Sequence, residues 1–217
     1  MLYCSVTTNL KIKEIFDYMR ELFGDSPRVE LDYKTDIDLL VAIILSAQCT
    51  DVRVNKVMKE LVKKYKTVQD YANAKQKDFE REIHFCGFYR NKAKNIIGMA
   101  KSVIADFGGV IPNDLNDLVK LPGVGRKTAS VFVAEYYKKP AIAVDTHVIR
   151  VSNRLGLTKS KNPDVIERDL AKLVDKKDWR LVNLYLVLFG RYYCKAIKPL
   201  CDGCKIKKYC VMKDSLV

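Results

Sequence analysis

The chain has 217 residues, is 48% hydrophobic and carries a formal charge of +13, so it can bury its own core without staples and forms one domain or two small ones. Its longest apolar run, residues 39–45, is far below the ~18 residues of a membrane span, which excludes a bilayer-embedded function. The opening MLYCSVTTNLKIK lacks the apolar stretch of a signal peptide, and a soluble cytoplasmic protein is expected. The positive charge fits either a lysine-rich soluble surface or, the preferred reading, a polyanion partner whose phosphates exchange counterions for Lys and Arg. Charge alone does not separate DNA from RNA or anionic lipid.

Helical periodicity runs through nearly every segment. Ile12, Ile15, Phe16, Met19, Leu22 and Phe23 recur every three or four residues before a stop at Gly24. Thr35 or Asp36 caps a second helix through 39–45. Thr50 or Asp51 caps a third, with Val54, Val57, Met58, Leu61 and Val62 as its buried stripe. Further helices fit 67–73, 76–85 and 90–107, then 113–120, 125–138, 145–155, 163–175 and 177–193. Residues 141–144 are apolar but too few for a convincing strand. The expected fold class is all-α, with its glycines and prolines placed at turns between helices, where chemistry can sit.

Leu121-Pro122-Gly123-Val124-Gly125-Arg126-Lys127 reads as a turn between two helices. Gly123 and Gly125 are expected to take positive φ and lie close to another surface. The first amides of the following helix would point outward, an arrangement that suits a phosphate oxygen. Lys127 falls in the first helical turn, where the helix dipole and neighbouring Arg126 work against its positive charge. Spacing leaves it either a surface lysine or an amine nucleophile. Asp145, before Thr146 and His147, is either an N-cap or a carboxylate serving that amine.

Of seven cysteines, Cys4, Cys49 and Cys86 are scattered and read as small apolar side chains. Cys194, Cys201, Cys204 and Cys210 crowd one short segment, which points to metal rather than disulfides. Four thiolates suit zinc or a [4Fe–4S] cube; the single Cys-x2-Cys pair favours the cube. Lys195, Lys198, Lys205, Lys207 and Lys208 interleave with these ligands, as a solvated face or as a phosphate-binding surface.

The stretch LPGVGRKTA, followed by AVDTHVIRVSNR, resembles the helix–hairpin–helix and aspartate signature of the endonuclease III family. The likeness extends through LSAQ at 45–48, GFYRNKA at 87–93 and the C-terminal cysteines, from about Leu10 onward. It implies a two-lobed all-α architecture: a six-helix domain at 29–139 carrying the hairpin, and a discontinuous iron–sulfur domain of 1–28 and 140–217, with a cleft between them. It further implies Lys127 as the nucleophile at the sugar C1′ and Asp145 as its assistant. The four clustered cysteines would hold a [4Fe–4S] cluster. Gln48 and Phe88 would be wedges filling the gap left by an everted nucleotide. Leu121, Gly123, Val124, Gly125, Arg126, His147, Lys198, Lys205 and Lys207 would contact DNA. The implied activity is bifunctional: a glycosylase and AP lyase acting, as a monomer, on duplex DNA with damaged pyrimidines or abasic sites. Three alternatives remain: a relative acting on another damaged or mismatched base, a DNA-binding module without catalysis, and a Cys4 zinc protein.

Overall fold

The structure is a computed structural model that describes residues 2–212, with side chains from Asn9 onward; Cys4 lies outside the described side chains. No strand occurs among the described residues, and none of their helices is long and apolar enough to cross a membrane. The all-α expectation holds. The chain divides into two compact units: Glu30 to Lys139, and the N-terminal segment through Val29 joined to the chain from Pro140 onward.

The continuous unit is built around α2 (Asp36–Ser46), in which every residue from Ile37 to Leu45 is buried. A helix that is apolar on all sides must be covered on all sides. α3 (Asp51–Lys64), α6 (Tyr89–Phe107) and α8 (Arg126–Glu135) pack against it. The short α4 (Val68–Ala72) and α5 (Gln76–Glu82) pack on α6, and α7 (Leu115–Leu118) packs on α8. Thr35 starts α2 through a capping box with Asp38: the Asp38 amide donates to Thr35 Oγ1 at 3.3 Å, and the Thr35 amide to Asp38 Oδ2 at 3.0 Å. That arrangement satisfies two amides the helix leaves open. Two expectations change. The helix read over 113–120 shrinks to one turn at 115–118, and the helix read over 125–138 ends at Glu135. Beyond it, Lys138 takes a left-handed φ of 54° and the Lys139 amide returns to the Val133 carbonyl at 3.1 Å.

The discontinuous unit contains α1 (Leu2–Phe23), α9 (Thr146–Arg154), α10 (Pro163–Leu173) and α11 (Trp179–Tyr192). α1 and α9 both pack on α11. Ile15, Met19, Val148, Val151, Leu186 and Phe189 form the middle of one apolar cluster, and Cys194 and Cys204 pack against its edge. The approach of α9 to α11 depends on Gly190, where a Cβ would lie 2.9 Å from His147 Cβ.

Candidate nucleic-acid interface and cysteine loop

The hairpin between α7 and α8 is organised by backbone and by a glycine. Leu118 and Val124 are buried, as is Leu121, so the side chains of Leu121 and Val124 anchor the turn. Only their backbones can face a ligand. The Val124 amide closes the turn on the Leu121 carbonyl at 3.1 Å. Gly123 has φ 77°, and a Cβ there would stand 2.7 Å from Asn95 Cβ on α6. Both the conformation and the close approach therefore require glycine. Gly125 departs from expectation: its φ is −82°, ordinary extended backbone, and it serves as the N-cap of α8 without a side chain to cap with. The first amide bonded within the helix is that of Ala129, to the Gly125 carbonyl at 3.0 Å. The amides before it lie at the positive end of the helix, suited to an anion. Arg126 and Lys127 are exposed in this first turn.

Two further turns of the same unit present Gln48 and Phe88. Gln48 follows α2, is exposed, and takes φ 53°. Phe88 precedes α6, is 65% exposed, and takes φ 58°. These turns touch: a Cβ on Gly87 would lie 3.8 Å from the Gln48 carbonyl. Lys92 on α6 binds them from beneath, its buried Nζ donating to the Leu45 carbonyl at 2.8 Å and the Ala47 carbonyl at 2.7 Å. Burial lowers the pKa of this amine. Periodicity had no means of finding Lys92, because its partners lie more than forty residues away.

In the other unit, Asp145 caps α9, its Oδ1 accepting the Val148 amide at 2.9 Å. Beside it, Arg150 Nη2 lies 3.2 Å from His147 Nδ1 and donates to the Gly190 carbonyl at 2.7 Å. A guanidinium has no acceptor, so Nδ1 can only be the acceptor in this contact.

Cys194, Cys201, Cys204 and Cys210 are free thiols that line one cavity of about 30 Å³, with Leu155, Phe189, Tyr193 and Ile206 among its walls. Among the described residues no three His, Cys, Asp or Glu side chains converge on a point to hold a single ion; the four thiols ring a space instead. Burial pushes the Cys204 thiol pKa up, and the other three thiols add to the rise. Such a cluster becomes thiolate when a cation compensates its charge.

Buried Arg154 holds the loop. Its Nη1 donates to the Lys195 carbonyl at 2.7 Å and to the Cys194 carbonyl and Sγ, both at 3.3 Å. Lys205 pairs with Glu21, and Lys208 with Glu14. Lys198 and Lys207 are exposed, Lys198 at φ 50°.

An all-helical chain whose glycine hairpin opens a lysine-bearing helix defines a helix–hairpin–helix protein, and residues 41–176 match the HhH-GPD superfamily base excision DNA repair protein. The chain is 46% identical over 204 residues to endonuclease III of Bacillus subtilis, covering 93% of each. It also superposes, with a TM-score of 0.90 and 41% identity over 95% of this chain and 97% of the other, on an endonuclease III trapped as a covalent intermediate with DNA. A thermostable thymine-DNA glycosylase shares the fold at TM-score 0.86 and 25% identity, covering 96% of this chain and 99% of its own. The chain belongs to the endonuclease III family of this superfamily. Its activity is that of a base excision repair DNA glycosylase with AP lyase action.

Proposed function

We propose that Lys127 is the nucleophile and that the substrates are duplex DNA carrying oxidised or ring-saturated pyrimidines, or abasic sites. The observation that carries this reading is the exposed amine in the first turn of α8, directly after a hairpin whose glycine N-cap leaves the helix end open to phosphate. The hairpin amides hold a phosphate, with Arg126 beside them. Gln48 and Phe88 enter the stack as the nucleotide turns out. The Lys127 amine attacks C1′ as the base leaves, and the Asp145 carboxylate stabilises the positive charge on the sugar. The resulting Schiff base accepts the electron pair released when the C2′ proton is lost, and the 3′ phosphate leaves by β-elimination. Borohydride should reduce the Schiff base and leave the protein covalently joined to lesion-containing duplex. Absence of any trapped product with oxidised pyrimidine or abasic duplex would overturn this assignment.

The same proposal gives Cys194, Cys201, Cys204 and Cys210 to a [4Fe–4S] cluster. Four free thiols ringing a cavity suit a cube, and Arg154 is placed to hydrogen-bond the Cys194 sulfur. When bound, the cluster supplies the positive charge that keeps the thiolates ionised and fixes the loop. Exposed Lys198, Lys205 and Lys207 on that loop then meet DNA phosphates. The Lys205–Glu21 pair is no obstacle, since exposed pairs contribute only about 0–1 kcal/mol. His147, held by Arg150, is a positioning contact beside Asp145 rather than a proton carrier. The protein should act as a cytoplasmic monomer and bind about four irons per chain. Iron assay of anaerobically purified protein checks the count, and zinc in place of iron in fully active protein would refute it.

A further inference from the structure

Cys49 and Cys86 take no part in the chemistry described above, yet they lie at its most constrained place. Cys49 directly follows Gln48 in the turn leaving α2, and Cys86 stands two residues before Phe88 in the turn entering α6. Both are free; Cys86 is fully buried and Cys49 half-buried. Burial raises the Cys86 thiol pKa, and nearby Cys49 adds to the rise. The turns also meet at two other points, the Gly87 approach to the Gln48 carbonyl and the Lys92 bonds to Leu45 and Ala47. Scattered core cysteines would not be expected to pair across the two turns that present the wedge side chains.

We propose that Cys49 and Cys86 are a redox site: hydrogen peroxide oxidises them to a reversible disulfide that ties the Gln48 turn to the Phe88 turn and slows lesion removal. The effect on lesion removal rests on the function proposed above; the sulfur chemistry does not.

Half-buried Cys49 reacts first. Its sulfur attacks one peroxide oxygen, the O–O bond breaks, and the products are a Cys49 sulfenic acid and water. The Cys86 sulfur then attacks the Cys49 sulfur, the S–O bond breaks, and hydroxide leaves as water with the Cys86 proton. The two sulfurs together lose two electrons, and one peroxide becomes two waters. Burial pushes the Cys86 thiol up to about 12, which keeps it from reacting first. Lys92 and Arg53 meanwhile favour the Cys86 anion.

The test exposes the cluster-loaded protein to limiting hydrogen peroxide, blocks remaining thiols, and maps peptides by mass spectrometry. The same samples are assayed for lesion excision and for cluster absorbance. A Cys49–Cys86 cross-linked peptide is expected, with excision slowed about tenfold or more at unchanged cluster absorbance and recovered with dithiothreitol. Cys49→Ser should excise like wild type and ignore the same peroxide dose. The proposal is overturned if Cys49 goes to sulfinic acid without a cross-link, if the cross-linked protein excises normally, or if Cys49→Ser is inhibited equally. Failure of the functional assignment would show separately, as loss of borohydride trapping in the fully reduced protein.

Discussion

At the hairpin the left-handed backbone position belongs to Gly123 (φ 77°), whereas the turns beside α2 and α6 place Gln48 (φ 53°) and Phe88 (φ 58°) in the same region. A side chain there costs roughly 1–2 kcal/mol that glycine avoids. The hairpin needs only its backbone to approach α6 and present amides, so glycine serves. The other two turns hold out a glutamine and a phenylalanine, the proposed wedges, which glycine could not supply, and the strain is retained. Lys198, on the cysteine loop, follows the second pattern at φ 50°. Lys138 also takes a left-handed φ, but only to end α8. Strained, exposed side chains therefore mark three of the positions assigned to DNA contact, and the inference runs from the observed outlier to the role.

The largest expected effect is at the hairpin's one chemical group. Lys127→Gln should abolish the borohydride adduct and lower strand cleavage by on the order of 10³-fold or more. Helicity by circular dichroism, iron content and affinity for undamaged duplex should stay. An adduct formed at the wild-type rate would give the nucleophile to another amine and leave the hairpin a binding element only.

Gly123→Ala tests the backbone half of the comparison. It combines a left-handed φ with a Cβ 2.7 Å from Asn95 Cβ, and should cost about 2–4 kcal/mol. Gly109→Ala is its control: φ is 84°, but nothing stands within 4 Å of the added Cβ, so only the conformational cost of about 1–2 kcal/mol applies. Equal losses in chemical denaturation would show that the approach to α6 adds nothing. Lys92→Met leaves the Leu45 and Ala47 carbonyls without their donor and should cost about 1–3 kcal/mol. It should also slow lesion excision, through the Gln48 turn, more than it weakens duplex binding. Equal loss in both assays would reduce Lys92 to a folding residue.

What the sequence showed and what it hid follow from range. The caps at Thr35 and Asp145, the hairpin, and the four clustered cysteines are each written within a few residues, and each could be read locally. Arg154 and Lys92 could not, because a buried cation beside distant carbonyls has no local signature. The Cys49–Cys86 contact was equally invisible: two separate cysteines in a helical chain read as small apolar residues until the turns meet. Gly125 was misread for a related reason. Two glycines flanking Val124 look alike in sequence, but only Gly123 faces Asn95, and Gly125 needs no more than extended backbone.

The smallest effect is the sharpest test of the comparison, because it separates strain from side chain. Gln48→Gly and Phe88→Gly each relieve a left-handed side chain but give the unfolded chain more freedom, by about 0.5–1 kcal/mol. Folding stability should then be unchanged or rise by up to about 1.5 kcal/mol. Gln48→Ala and Phe88→Ala keep the strain and remove the same reach, so they should show no such gain. All four should slow excision from damaged duplex more than they weaken binding to intact duplex, since the lost contacts belong to the everted state. If the glycine variants are instead less stable than the alanine variants, Gln48 and Phe88 are held left-handed by packing that favours them. If the glycine variants are more stable and still excise at the wild-type rate, the strain is real but serves some purpose other than the wedge. Stability gained with excision lost would show that these two turns trade folding energy for the side chains they present.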